Sequence, residues 1–151
     1  MRFGMSFRES LRGSFWWLDA PVDERAMALS FEAQARDVRE FLRDKTWCVA
    51  GTIQAERLAS GCTIEGTVGY RLIEERRLPY RFRFSGDDGR RYELIGQKEW
   101  SGFAPLESLA LLPASLFDDR GEELARATLR FDLRSDWWRH VRSWSLFLSR
   151  G

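Results

Sequence analysis

A repeated alternation of apolar and polar residues, interrupted by turn residues, constrains this chain more than any other feature. In the first run Phe7, Leu11 and Phe15 share one face, whereas Arg8 and Arg12 point the other way. Successive side chains of a strand face opposite sides, so this alternation is typical of a strand with one buried face. Similar runs recur within residues 27–33, 46–54, 63–72, 80–84, 92–100 and 125–133.

These runs predict an all-β fold of about eight strands. The clearest hairpin joins residues 80–84 to 92–100, because Gly86-Asp87-Asp88-Gly89 supplies the positive φ values of a chain reversal. Pro105 and Pro113 bracket an apolar segment, Leu106 to Leu112, which predicts a strand buried on both sides. An antiparallel, lipocalin-like barrel, closed or nearly closed, is favoured because closure removes exposed strand edges.

Two segments depart from the alternation and predict helices. Val38, Phe41 and Leu42 have helical spacing within residues 36–44, and a short helix there would cover an open barrel end. After Ser135, an N-cap residue, the apolar period becomes helical and predicts a C-terminal helix near 136–148. Its apolar stripe consists of Trp137, Val141, Trp144 and Leu148, flanked by Trp138 and Phe147.

Length, charge and cysteine content narrow the class of protein. The chain has 151 residues without a repeat or linker, which predicts a single domain spanning 1–151. A net charge of +1 argues against a nucleic-acid binder, which normally carries a basic excess on one face. No apolar run approaches the ~20 residues of a transmembrane helix, and no signal peptide is evident. Since Cys48 and Cys62 form no disulfide framework, a cytoplasmic protein is expected.

Two charged residues break the alternation and form the candidate site. Glu9 shares the apolar face of Phe7 and Leu11, and Lys98 shares that of Leu94 and Trp100. An unpaired charge inside a barrel costs several kcal/mol, so we expect the two to meet as a buried pair. Three interpretations are open: the pair only fixes strand register, one end reaches solvent at the barrel mouth, or the pair anchors a ligand in an apolar cavity. The predicted ligand-binding residues are Glu9, Lys98, Phe82, Phe84, Tyr92 and Trp100.

No pattern in the sequence indicates a catalytic or metal site. His140 is the only histidine, and no cluster of Cys and His residues has metal spacing. No Gly-x-Ser-x-Gly motif occurs, and the carboxylate pairs lie in turns. We therefore expect a protein without metal, cofactor or catalytic residues. Acid–base chemistry at Glu9 on a lipid-like substrate is the least favoured alternative.

Several segments together resemble a known accessory domain. They are Phe7 to Gly13, Tyr92 to Lys98, Ser108 to Phe117 and Ala125 to Phe131. In this order they are similar to the small β domain attached to some bacterial oxidoreductases of the glucose-methanol-choline family, the cholesterol-oxidase-like ones. The resemblance implies a module that works beside redox enzymes or on apolar, steroid-like or lipid molecules. Flavin binding does not carry over, because the chain has no Gly-x-Gly-x-x-Gly turn.

Two functions are therefore expected from the sequence. The first is a non-catalytic binding module for a small apolar ligand, lipid- or steroid-like, held inside the barrel. The second is an accessory subunit that docks on a separately encoded oxidoreductase. Its docking surface would be Trp137, Trp138 and Trp144, because Trp is enriched at binding hot spots. The sequence leaves two other roles open for this helix, namely packing across one face of the barrel and binding to a membrane surface. The sequence leaves the oligomeric state open, a homo-oligomer included.

Overall fold

The alternating runs form strands that follow one another around a barrel. A computed structural model describes residues 2–69, 77–99, 110–131 and 145–149. All strand pairs are antiparallel. The elements are β1 (Arg2–Trp17), β2 (Arg25–Ala35), α1 (Val38–Asp44), β3 (Thr46–Ala55), β4 (Ala59–Gly69), β5 (Arg77–Ser85), β6 (Arg91–Glu99), β7 (Leu111–Asp118), β8 (Glu123–Arg130) and β9 (Ser145–Ser149).

Strand β1 closes the barrel. Each strand from β1 to β7 pairs with the next in sequence, and β1 also pairs with β8. The second half of β1 lies between two neighbours, because Arg12 to Phe15 are in register with β2 and with β8 at once. Over the described residues the result is a closed, antiparallel eight-stranded barrel with one short helix, so the predicted barrel and its short helix are confirmed.

The predicted C-terminal helix does not extend over residues 145–148. Ser145–Ser149 forms β9, which pairs with Arg2 to Ser6 of β1. Strand β1 reaches beyond the end of β8, and its free edge offers β9 a ladder of backbone hydrogen bonds that outweighs helical spacing. Leu148, placed on the helical stripe by its spacing, therefore lies in a strand. The rest of that stripe (residues 136–144) lies outside the described residues.

The barrel has two different ends. At the turn end, short connections at residues 18–24, 56–58, 86–90 and 119–122 join consecutive strands. At the loop end lie α1 and the ends of β4, β6 and β8. The inward faces carry the apolar residues of the alternating runs, and together they form one buried core.

Two glycines within strands let neighbouring strands approach one another closely. A Cβ atom on Gly66 would lie 1.8 Å from the carbonyl oxygen of Arg81 on β5. On Gly13 it would lie 1.9 Å from the carbonyl oxygen of Thr128 on β8. No larger residue fits at either place, which is typical of positions where barrel strands bend.

Strand β7 differs from the prediction. It runs over Leu111–Asp118 and includes Pro113, which was expected to end a strand at Leu112. Leu111 and Pro113 are exposed, so the described part is buried on one face only. Proline has no backbone N–H to donate to a neighbouring strand. It is tolerated here because pairing with β6 runs from Asp118 only as far as Ala114, so the β6 ladder ends before Pro113.

Helix α1 covers part of the loop end, as predicted, through one of its three apolar residues. Asp37 caps its first turn by accepting a hydrogen bond from the Arg39 amide at 2.9 Å. The ring of Phe41 packs on Trp47, with centroids 4.5 Å apart. Val38 is half-buried, but Leu42 is 66% exposed, because a helix of seven residues presents only a narrow face to the barrel.

The predicted turn at residues 86–89 forms hydrogen bonds with a neighbouring strand at the turn end of the barrel. Gly89 adopts a φ of +76°, as a reversal requires. The Asp87 carboxylate accepts hydrogen bonds from the Ser60 amide at 2.9 Å and the Ser60 hydroxyl at 2.8 Å. These bonds, led by the one from the amide, lower the pKa of Asp87. The β5–β6 turn is thereby fastened to the start of β4.

The described residues contain no helix that could span a membrane. Their one helix, α1, has only seven residues. A bilayer-spanning helix needs about 20.

Candidate functional site

Glu9 and Lys98 meet inside the barrel as a buried ion pair. Glu9 projects from β1 and Lys98 from the penultimate position of β6. The Lys98 ammonium donates a hydrogen bond to Oε1 of Glu9. Relative exposure is 5% for Glu9 and 4% for Lys98, so both charges are removed from water. The predicted pairing is confirmed.

Tyr80 is a third member of the site, which the sequence prediction missed. It lies on β5 opposite Gly96, and its hydroxyl donates to Glu9, 3.2 Å from Oε2 and 3.4 Å from Oε1. Burial, followed by the negative charge of Glu9, raises the pKa of Tyr80 well above its ordinary value. The sequence did contain a signal for this role. Tyr80 is an inward position of the run 80–84, and that run forms the hairpin partner of the strand that carries Lys98.

Two aromatic rings surround the Lys98 ammonium. Its nitrogen lies 5.1 Å from the ring centroid of Tyr80 and 5.7 Å from that of Phe131. Both distances are within the range of a cation–π interaction. Phe131, which follows β8, had been placed on an inward face by its period but not in the site.

The three polar groups form a site with surplus hydrogen-bond donors. An ammonium group has three N–H donors, and one of them bonds to Glu9. The Tyr80 hydroxyl also donates to Glu9, which carries the compensating negative charge. The cluster is therefore neutral overall, and it can donate to a further acceptor such as a carbonyl or hydroxyl oxygen.

The structure brings only some of the predicted ligand-binding residues together. Phe82 is close to the polar group, since its ring centroid lies 5.8 Å from that of Tyr80. Phe84 and Tyr92 stack on each other near the turn end, with centroids 5.6 Å apart. Tyr92 is six residues from Lys98 along β6, or about 20 Å at the rise of a strand. Trp100, Trp137, Trp138 and Trp144 lie outside the described residues.

The middle of the barrel is filled by side chains. Leu11, Phe82 and Leu94 have no surface that a water molecule can reach, so no water-sized void borders them. Residual exposure of a few per cent returns at both ends, at Phe84 (5%) and Tyr92 (7%) near the turn end and at Phe7 (6%) and Phe131 (7%) near the loop end. The Lys98 ammonium lies at the loop end, 5.7 Å from the ring centroid of Phe131. A ligand in contact with the polar cluster would therefore occupy the loop-end half of the barrel.

Cysteines and carboxylates outside the polar cluster were the other candidates for chemistry. Within residues 2–69, 77–99, 110–131 and 145–149, no group of three His, Cys, Asp or Glu residues is placed to hold a metal ion. Cys48 is an exposed free thiol, and Cys62 is half-buried. Burial, followed by a hydrogen bond to Asp87, raises the pKa of Cys62, which makes it a weaker nucleophile.

No family model and no curated protein matches this chain. The resemblance to the accessory domain of glucose-methanol-choline oxidoreductases therefore stays a prediction. So do the oxidoreductase partner, the docking role of Trp137, Trp138 and Trp144, and the cytoplasmic location.

Proposed function

We propose that this protein is a non-catalytic binding module for a small apolar molecule that carries one oxygen acceptor. The observation that carries the proposal is the Glu9–Lys98–Tyr80 cluster, a buried polar group among apolar side chains. Ligand sites in proteins are mostly apolar, with a few polar groups that fix the orientation of the ligand. The Glu9–Lys98–Tyr80 cluster and the apolar side chains around it match this description.

Stability alone gives little reason to keep such a pair. Replacing a buried ion pair with apolar residues of similar volume is often neutral or stabilising, by about 1–4 kcal/mol. Pairing between β5 and β6 extends over nine residue pairs, from Arg77↔Glu99 to Ser85↔Arg91. The register of the Lys98 strand therefore has ample support without the ion pair. A ligand that accepts a hydrogen bond from Lys98 supplies a reason for the pair to persist.

The charges of the cluster favour a neutral ligand. Lys98 is already compensated by Glu9, so a ligand carboxylate would add a second negative charge beside Glu9. A hydroxyl or carbonyl oxygen accepts from Lys98 without that repulsion. The aromatic rings of Tyr80 and Phe131 would contact the apolar body of the ligand. This is the chemistry of an alcohol, a ketone or an aldehyde with a hydrocarbon skeleton.

Displacement of a fluorescent probe tests the proposal. Nile red, a neutral apolar dye, is titrated with the protein, and 1-decanol or decanoate is then added as the competitor. We expect decanol to displace the dye more strongly than decanoate. In the double variant Glu9→Leu/Lys98→Met, decanol should bind about tenfold or more weakly, because a hydrogen bond to a charged group contributes about 1.5–3 kcal/mol.

A matched control is available on the outer face of the same sheet. Arg81 on β5 and Glu93 on β6 form an outer-face ion pair at 2.9 Å, in which Arg81 is exposed and Glu93 half-buried. The double variant Arg81→Met/Glu93→Leu removes one pair of charges without touching the interior, and its affinity for decanol should equal that of the original protein. Equal affinity in the Glu9→Leu/Lys98→Met variant, or the absence of dye and decanol binding, would contradict the proposal.

A further inference from the structure

The choice of basic residues in this chain is uneven. Of its 24 Lys and Arg residues, only Lys45 and Lys98 are lysines. Lys45 is the C-cap residue of α1, whereas Lys98 is buried in the ion pair. The planar, forked guanidinium of arginine is usually preferred for a buried pair with a carboxylate. Arginine serves nearly everywhere on the surface, yet a primary amine occupies the one buried cationic position of the described residues.

A primary amine can do what a guanidinium cannot: it condenses with a carbonyl group. A desolvated lysine in an apolar pocket is the usual nucleophile of such reactions. The surroundings of Lys98 suit both its amine and the imine that the amine would form with a carbonyl compound. A protonated imine keeps the positive charge of the ammonium, so the ion pair with Glu9 and the contacts with the rings of Tyr80 and Phe131 would persist after the reaction.

We infer that Lys98 binds an apolar aldehyde covalently, as a reversible protonated imine with Glu9 as its counter-ion. The inference rests on the proposed function and names the ligand class of that site. The acceptor oxygen of the ligand is then a carbonyl oxygen, placed first by a hydrogen bond from Lys98. The hydrocarbon part of the aldehyde lies against the aromatic rings of the loop-end half.

The proton path follows the hydrogen bonds of the cluster. An ammonium proton of Lys98 passes to Glu9, and the free amine attacks the carbonyl carbon to form the C–N bond. Glu9 returns that proton to the former carbonyl oxygen, then takes a second proton from the nitrogen and delivers it to the same oxygen. The oxygen leaves as water as the C=N bond forms. Two ammonium protons and the carbonyl oxygen make up this water, and no oxidant or reductant is needed.

Reductive trapping tests the inference on the unaltered protein. Decanal and sodium cyanoborohydride are added, and the protein is then measured by intact mass spectrometry and mapped after proteolysis. Each trapped imine increases the mass by that of the aldehyde less one oxygen atom. We expect a single addition, located on Lys98. Addition on Lys45 or on the N-terminal amine instead of Lys98 would overturn the inference.

Two lysine variants provide the matched comparison. Lys98→Arg keeps a positive charge beside Glu9 but removes the amine, so trapping should be lost. Lys45→Arg removes the other lysine and should be trapped as fully as the original protein. Circular dichroism establishes that both variants are folded. Should Lys98→Arg fail to fold, the position of the addition in the original protein still decides the outcome.

A parallel titration with 1-decanol separates the failure of this inference from failure of the proposed function. Decanol has the same chain length as decanal but cannot form an imine. Binding of decanol together with no trapping of decanal would overturn the inference and leave the proposed function standing. Binding of neither molecule would overturn both.

Discussion

The charge of Lys98 is balanced by one carboxylate and two aromatic faces, with Tyr80 completing the hydrogen bonds of Glu9. Each group depends on the others, because a buried charge without its partner costs several kcal/mol. Removing both charges together should therefore destabilise the protein less than removing either charge alone. This difference between single and double substitutions can be measured.

Substitution of the pair gives the first prediction. Glu9→Leu and Lys98→Met should each lower the free energy of unfolding by about 3–5 kcal/mol, because each leaves an uncompensated buried charge. The double variant should recover most of this loss, measured by urea unfolding. For the outer-face pair, comparison of Arg81→Met, Glu93→Leu and their double variant should give a coupling energy of about 1 kcal/mol or less. A double variant as unstable as the sum of its singles would contradict the prediction.

The titration of Tyr92 gives the second prediction. Burial, followed by a hydrogen bond of 2.7 Å to Asp88, raises the pKa of Tyr92 from 10.0 to about 12. The folded protein thus holds this proton more tightly than the unfolded chain does. The contribution of Tyr92 to stability is complete below pH 10.0 and is lost as the pH rises toward about 12.

Nuclear magnetic resonance of the tyrosine ring carbons measures the value directly. Asp88→Asn keeps a side-chain oxygen but removes the negative charge, so the pKa of Tyr92 should fall toward 10.0. Asp119→Asn, in the exposed turn after β7, should leave it unchanged. If the two variants titrate alike, Asp88 does not influence Tyr92.

At the scale of elements, glycines within strands decide how closely neighbouring strands approach. Gly66 on β4 faces the backbone of β5, and a methyl group there would meet the carbonyl oxygen of Arg81. A backbone atom cannot turn aside as the tip of a side chain can. The bend of β4 therefore depends on the absence of a side chain at this position.

Gly66→Ala gives the third prediction. The added methyl should lower the free energy of unfolding by about 1–3 kcal/mol, the usual effect of overpacking. Thr63→Ala, at an exposed position of the same strand, should change it by less than about 0.5 kcal/mol. Urea unfolding measures both. An unchanged midpoint for Gly66→Ala would mean that β4 and β5 separate at little cost.

For the whole molecule, closure rests on the second half of β1. Residues Arg12 to Phe15 have partners on both β2 and β8, whereas Phe7 to Leu11 pair with β2 alone among the described strands. The doubly paired stretch connects the first and last strands of the ring. Its amides should open only when the barrel itself opens.

Hydrogen exchange tests this fourth prediction. All four amides from Arg12 to Phe15 should exchange at the slow rate of global unfolding. Between Phe7 and Leu11, slow and faster amides should alternate, because alternate amides point away from β2. Uniformly slow exchange throughout Phe7 to Leu11 would show that this part of β1 has a second partner as well.

The sequence by itself determined the barrel, because a period of two with turn residues between the runs is a local signal that each strand carries alone. It also predicted that Glu9 and Lys98 would meet, since a buried charge without a partner costs several kcal/mol. The hairpin at residues 86–89 and helix α1 followed from equally local patterns.

Only the tertiary structure decided what depends on distant partners. Whether Ser145–Ser149 forms a helix or a strand depended on the free edge of β1, at the opposite end of the chain. Tyr80 joined the site, and Tyr92 was kept from it, by the distance along strands that alternation leaves undefined. Periodicity assigns a side chain to a face, whereas its position along the barrel follows from register, which all the strands determine together.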